Sequence, residues 1–132
     1  MSTDYKWTDT RKDEVDRQMS IKAVPLTLIL NDSRDKSYLF NIMDTPGHPN
    51  FSDEVSASLR LADGMLLVID VIEGVTFYNE RLIKEALRAK MEIVVILNKM
   101  DRLVLELRLP VNDAYHKLKH TLDEVNFIIQ TF

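Results

Sequence analysis

Several features that are common in other protein classes are missing from this sequence. It contains no cysteine, which excludes disulfide bridges and cysteine-ligated zinc sites. Glycine occurs only three times in 132 residues, although the turns of a small α/β domain often use it. No apolar run approaches the roughly 20 residues of a membrane-spanning helix, and no signal peptide opens the chain. The sequence therefore predicts no membrane partner.

One further absence concerns a specific motif. The pattern Gly-x-x-x-x-Gly-Lys-Ser/Thr, whose backbone N–H groups cradle phosphates, occurs nowhere in the 132 residues. The composition is otherwise that of an ordinary globular protein, with 45% hydrophobic and 29% charged residues, and the length predicts one domain. The net charge of −4 does not indicate a nucleic-acid-binding surface.

Alternation of apolar and polar residues predicts a hairpin in the first half of the chain. The strands are expected near residues 20–30 and 37–43, and Pro25 places the first of them at a sheet edge because proline cannot donate a ladder hydrogen bond. Residues 1–19 are strongly charged and predict a mobile loop.

Nearly continuous apolar runs in the second half predict strands that are buried on both faces. These runs are residues 65–71 and 92–97, and helices are predicted around them at 52–61, 76–90 and 113–129. The order of elements predicts an α/β fold with a mostly parallel sheet and one antiparallel edge strand. Ligands of such sheets bind beyond the carboxyl ends of the strands.

The first cluster of candidate site residues, at 44–48, follows the second hairpin strand and reads Asp-Thr-Pro-Gly-His. Asp44 can hold magnesium through a water, and the N–H of Gly47 can approach a terminal phosphate. His48 can orient an attacking water or sense charge on it. Thr45 and Pro46 complete the cluster. Taken alone, Asp-x-x-Gly also fits a polar turn after a strand.

The second cluster, at 98–101, follows the last predicted strand and reads Asn-Lys-Met-Asp. Asp101 can accept hydrogen bonds from N1–H and the exocyclic amino group of guanine, a pair of donors that adenine does not offer. Asn98 can bond the N7/O6 edge, and Lys99 can lay its aliphatic stem over the base while its charge stays in water. Met100 lies between these polar residues. The alternative reading is a solvated loop after a strand.

Both clusters resemble motifs of the GTPase domain of elongation factor 2. The resemblance extends to residues 8–14, 17–22, 50–54 and 105–107. Within that family the chain is most similar to the spliceosomal branch found in the U5 small nuclear ribonucleoprotein. Three stretches carry this similarity: 41–48, in which Thr45 replaces a usual serine, 50–55, and 109–118.

The resemblance implies GTP or GDP and Mg²⁺ as cofactors. It places residues 17–21 in the first switch, with Ser20 as a magnesium ligand alongside Asp44, and residues 44–48 in the second switch, with His48 as the water-positioning catalytic residue. Asn98, Lys99 and Asp101 are implied to bind guanine. Two departures, Gln18 for glycine and Pro49 after His48, imply an altered first switch and slow hydrolysis.

The resemblance also implies that the chain is part of a larger GTPase domain. Residues 1–132 are expected to be a partial G domain of the three-layer P-loop NTPase type, running from the first switch past the guanine motif and lacking the P-loop and the first central strand. Without a phosphate cage, GTP affinity is expected to be weakened by about 4 kcal/mol or more. The chain alone is therefore expected to be inactive. The unpaired strands beside the gap are predicted to pair with each other, to pair with a second copy, or to stay distorted.

Three functions follow from this reading. The leading one is a GTP-hydrolysing switch in pre-mRNA splicing, nuclear, with spliceosomal proteins and small nuclear RNA as partners through the whole protein. The second is elongation factor 2 itself, which is cytoplasmic and has a ribosomal partner. The third is a catalytically inert scaffold or interaction fragment.

Overall fold

The computed structural model describes residues 6–132, and the chain forms two compact units, Met1–Ala62 and Asp63–Phe132. No helix within the described range is both long enough and apolar enough to cross a bilayer. The first unit contains α1, β1, β2, a 3₁₀ turn and α2, which span Lys12–Arg17, Val24–Asn31, Ser37–Asp44, Pro49–Phe51 and Ser52–Leu59. The second contains β3, α3, β4, α4 and α5, which span Gly64–Asp70, Phe77–Arg88, Glu92–Asn98, Asp101–Leu105 and Val111–Thr131.

The hairpin predicted in the first unit is confirmed. Strands β1 and β2 pair antiparallel, from Val24 opposite Asp44 to Asn31 opposite Ser37. The carboxylate of Asp32 closes the turn between them by accepting the N–H of Arg34 at 2.7 Å. Among residues 6–132, β1 bonds to no strand other than β2. The register leaves Asp44 at the end of its strand.

The prediction of a mobile loop before residue 20 was wrong for residues 12–17, which form helix α1. This helix has no apolar period that a sequence reading could detect. It is held instead by the buried carboxylate of Glu14, which accepts the N–H of Arg11 at 3.2 Å and two N–H groups beyond the helix. Residues 1–5 of the predicted loop lie outside the described residues.

The second unit is built on a parallel strand pair. Strand β3 pairs with β4 from Gly64 opposite Glu92 to Asp70 opposite Asn98, and α3 makes the crossover that parallel strands require. The buried side chains of Leu67, Ile69, Ile83 and Val125 form the core between the sheet, α3 and α5. Both strands therefore end at the same edge, with Asp70 and Asn98 side by side.

Burial of β3 and β4 on both faces was predicted, and this was wrong. One face packs on the helices, while Leu66, Val68, Val94 and Ile96 on the other face are 40–58% exposed. The apolar runs therefore include a second face of the sheet, on which no described residue packs.

The predicted single sheet, mostly parallel with one antiparallel edge strand, also differs from the structure. Residues 6–132 form two separate two-stranded sheets, β1–β2 antiparallel and β3–β4 parallel. Within the described residues, no strand bonds to both pairs.

Candidate functional site

The first cluster of site residues gathers around Asp44. Its Oδ2 accepts a hydrogen bond from Thr8 Oγ1 at 2.6 Å and forms an ion pair with Lys6 Nζ, also at 2.6 Å. The same ammonium donates to Ser20 Oγ at 3.1 Å, and Ser20 Oγ donates to Asp9 Oδ1 at 2.7 Å. The fold of the first unit thus links Ser20 and Asp44, the two predicted magnesium ligands, through one positive charge.

The oxygen atoms around the Lys6 ammonium are of the kind that binds magnesium. Mg²⁺ prefers one or two carboxylates together with other hard oxygen ligands, and Asp44 and Ser20 supply a carboxylate and a hydroxyl. The side chain of Asp44 is 26% exposed, so waters can reach it. These residues therefore fit a magnesium ion, provided that the ammonium moves aside.

Glu14 fixes the segment that carries Ser20. Its Oε1 accepts the backbone N–H of Ile21 at 2.9 Å and of Lys22 at 3.0 Å, the two residues that follow Ser20. The carboxylate is almost completely buried. Hydrogen bonds from the N–H groups of Lys22 and Ile21 hold the pKa of Glu14 below its ordinary value because they favour the charged form.

The loop after Asp44 leaves open space at Gly47. Pro46 is fully buried and anchors the loop, and Thr45 beside it is half-buried. A Cβ atom added at Gly47 would meet no heavy atom within 4 Å, and the residue is not among those with positive φ. Neither the packing nor the backbone conformation of the first unit therefore requires glycine here.

His48 has the extended conformation that Pro49 predicted, with φ −80° and ψ 133°. Its Nδ1 accepts the N–H of Asn50 at 3.2 Å, so the neutral ring carries its proton on Nε2. In this state the imidazole offers a donor to an oxygen atom. It can take a proton at Nδ1 only after the bond to Asn50 has broken.

The second cluster lies at the carboxyl end of β4. Asn98 ends the strand and its Oδ1 accepts the N–H of Lys99 at 2.9 Å, which leaves the amide NH₂ for an acceptor. Lys99 has φ 61°, Met100 precedes α4, and Asp101 begins it. The carboxylate of Asp101 is exposed and has no hydrogen-bond or ion-pair partner within residues 6–132.

Asp70 organises this second cluster, and the sequence reading gave it no role. Its Oδ2 bonds Arg102 Nη1 at 2.7 Å and Lys99 Nζ at 3.0 Å, and its Oδ1 accepts the N–H of Ile72 at 2.8 Å. Burial by itself raises the pKa of Asp70, but the Ile72 N–H and the charges of Lys99 and Arg102 lower it to about 2. The Lys99 charge predicted to stay in water is therefore paired.

A signal for Asp70 was present in the sequence. It stands at the carboxyl end of an apolar strand, just as Asp44 and Asn98 do, and the rule that singled out those two residues applies equally to it. No comparable signal marked Lys6, because a single lysine in a charged segment has no pattern.

We expect the paired carboxylate of Asp70 to make the second unit acid-sensitive. A group whose pKa falls from 3.8 to about 2 on folding stabilises the folded state above pH 3.8 and loses that effect as the pH falls towards 2. The lost free energy is on the order of 2 kcal/mol. Urea unfolding of the chain at pH values from 5 to 2 measures it. In Asp70→Asn this step should disappear, and an unchanged step would assign it to other carboxylates.

Comparison with known proteins identifies the class to which this fold and these clusters belong. Residues 1–131 match the family model of the elongation factor Tu GTP binding domain. The chain belongs to this family of GTP-binding domains.

Individual relatives are a U5 small nuclear ribonucleoprotein component and two pre-mRNA-splicing factors. The chain is 60% identical over 121 residues to the "110 kDa U5 small nuclear ribonucleoprotein component CLO" of Arabidopsis thaliana. It is 55% identical to "Pre-mRNA-splicing factor cwf10" of Schizosaccharomyces pombe and 45% identical to "Pre-mRNA-splicing factor SNU114" of Saccharomyces cerevisiae. Each match covers 92% of the chain but only 12% of the relative's length. The predicted resemblance to the U5 branch is confirmed.

Proposed function

We propose that the chain is part of the GTP-binding, GTP-hydrolysing switch of a nuclear protein that acts in pre-mRNA splicing within the U5 small nuclear ribonucleoprotein. One observation carries the nucleotide part of this proposal: in a GTP-binding domain, an exposed Asp101 carboxylate with no partner among residues 6–132 follows Asn98, which ends a parallel strand. Identities of 45–60% to spliceosomal proteins support the cellular role. Spliceosomal proteins and small nuclear RNA are its proposed partners.

Recognition of guanine follows from the chemistry of the second cluster. The Asp101 carboxylate accepts from both N1–H and the 2-amino group, while the free NH₂ of Asn98 donates to N7 or O6. With adenine, the Asp101 carboxylate would face another acceptor instead of a donor, so the site rejects adenine. Lys99 covers the base with its stem, and Met100 sets the spacing between the readers.

The phosphate end is assigned to the first cluster. Asp44 and Ser20 would hold Mg²⁺, which neutralises phosphate charge, and the open side of Gly47 lets its N–H bond the terminal phosphate. Thr45 and Pro46 position that glycine. His48 donates through Nε2–H to orient the attacking water, while its Nδ1 accepts the N–H of Asn50.

We further propose that the chain is part of a three-layer P-loop NTPase-like domain. The phosphate-binding loop and its strand would then come from a segment outside these 132 residues. Two observations support this: the motif is absent from the sequence, and the chain spans 12% of its relatives.

Calorimetry of the chain with GTP and with ATP in the presence of magnesium tests the nucleotide part of the proposal. We expect millimolar binding of GTP and at least tenfold weaker binding of ATP, because the base is read but the α and β phosphates lack a cage. Micromolar affinity for GTP would contradict the proposal that this chain lacks a phosphate-binding loop. Equal affinity for ATP would overturn guanine recognition.

An exchange of segments tests the role in splicing. The matching 121 residues of the S. pombe splicing factor would be replaced by those of this chain, and intron retention would be measured in the cells. We expect the exchange to support splicing and the same exchange carrying Asp101→Ala to fail. Retained introns with the unmutated segment, in a protein expressed at normal levels, would contradict the proposal.

We also expect Lys6→Met to strengthen binding of a divalent cation to the first cluster. The ammonium lies 2.6 Å from Asp44 Oδ2, and removal of a positive charge at this distance should raise affinity roughly tenfold. Electron paramagnetic resonance of free Mn²⁺ measures this without nucleotide. Lys36→Met, which makes the same charge change in the hairpin turn, is the control. An equal gain in both variants would show that only net charge matters.

A further inference from the structure

We infer that Asp70 is a positioning residue for guanine recognition: it fixes Lys99 and Arg102, which flank Met100 and Asp101, before the nucleotide arrives. The inference rests on the proposed function and deepens it, since it adds a residue that acts through the base readers without touching the base.

The contacts of Asp70 tie the end of β3 to the start of α4. One oxygen, Oδ2, holds both Lys99 Nζ at 3.0 Å and Arg102 Nη1 at 2.7 Å. Arg102 is fixed from its other side by Glu106, through Nε at 2.7 Å and Nη2 at 2.9 Å. The other oxygen is bound to the N–H of Ile72, so the carboxylate itself cannot rotate freely.

The backbone beside this carboxylate is held as well. The N–H of Val71 donates to the carbonyl of Asn98 at 3.1 Å, which extends the β3–β4 pairing past Asp70. Asp70 and Asn98 are directly opposite in the parallel register. The carboxylate therefore stands on a rigid element next to the first residue that reads the base.

Lys99 combines an unusual backbone conformation with a paired side chain. Its φ of 61° lies in the left-handed region, and its Nζ is bonded to Asp70. The side chain is still 55% exposed, so its stem remains accessible to a base while its end is held.

Together, these contacts determine how much conformational freedom the loop around Asp101 must lose when the base binds. With Asp70 present, the residues on both sides of Asp101 are fixed, and its carboxylate is the free group in between. Without it, Lys99 samples other positions while Glu106 still holds Arg102, and affinity falls in proportion to the fraction of time in which the loop is competent.

Titrations monitored by the amide resonances of residues 98–102 test this role. The ligands are guanosine and adenosine, because uncharged nucleosides do not respond to a change in net charge. We expect Asp70→Asn to weaken guanosine binding roughly tenfold, with adenosine unchanged. Glu106→Gln is the matched control. It removes an acid that also binds Arg102 but makes no contact with Lys99, and it should bind guanosine nearly as well as the wild type.

A second variant separates positioning from folding. Lys99→Met keeps an unbranched apolar stem but cannot bond Asp70, and it leaves the Ile72 hydrogen bond intact. We expect Lys99→Met to weaken guanosine binding by the same factor as Asp70→Asn. Adding Asp70→Asn to Lys99→Met should weaken guanosine binding no further. Additive losses, or full guanosine binding by either single variant, would overturn the inference. Wild-type protein that binds both nucleosides equally would instead overturn the proposed function.

Discussion

Asp101→Asn is expected to reverse the base preference of the chain from guanine to xanthine. The asparagine amide presents one acceptor and one donor, which match N1–H and the 2-carbonyl of xanthine, whereas it faces the 2-amino group of guanine with a second donor. A bidentate pair of this kind discriminates by roughly 10- to 100-fold. We expect a change of this size in the affinity ratio of GTP to xanthosine triphosphate, measured by titration of the amide resonances of residues 98–102.

The control for this reversal is Asp113→Asn. Asp113 lies in the first turn of α5, is exposed, and belongs to the same unit, so the substitution changes the charge in the same way. It should leave the preference for GTP intact. If Asp101→Asn weakened GTP and xanthosine triphosphate binding equally, the carboxylate would contribute charge without reading the base.

Glu14→Ala is expected to destabilise the first unit by about 3 kcal/mol, because three backbone N–H groups lose a buried, charged acceptor. Hydrogen exchange should show the loss most directly at the amides of Ile21 and Lys22, which exchange slowly only while the carboxylate holds them. Since these residues follow Ser20, we expect weaker Mn²⁺ binding at the first cluster as well.

The pH dependence and a neighbouring acid provide the controls for Glu14. Its pKa is lowered on folding, so its stabilisation is present above about pH 4.5 and disappears as the pH falls through the folded value. The difference between wild type and Glu14→Ala should therefore shrink below pH 4.5. Asp13→Ala removes a surface carboxylate paired with Arg11 and should change little. Similar losses in both variants would contradict the assigned role of Glu14.

The predictable part of the fold was the part that follows from local pattern. Strand alternation identified the hairpin, and the apolar runs identified β3 and β4, because the side-chain period is a property of a few adjacent residues. Helix α1 escaped notice because the contacts of a carboxylate with N–H groups just beyond the helix, rather than an apolar face, stabilise it. The number of sheets was missed because it depends on which strands bond to which, and that is decided by the whole chain.

In the candidate site, too, some residues are marked by a local sequence pattern and others are not. Asp44, Asn98 and Asp101 were identified because strand ends and short motifs mark them in the sequence. Lys6 was missed because its importance lies in what it contacts: it bridges Ser20 and Asp44, which are 14 and 38 positions away, and no local pattern encodes such partners. Asp70 carried the same strand-end signal as Asp44 and Asn98 but belongs to neither short motif, and its contact with Lys99 is visible only in the structure.

A set of three NMR titrations tests the central claim, that the second cluster reads guanine and the first binds phosphate with magnesium. We expect guanosine to shift only the amides of residues 98–102, and inorganic triphosphate with magnesium to shift only those of residues 44–48. Adenosine should shift neither set. Equal shifts of residues 98–102 by guanosine and adenosine would contradict the account.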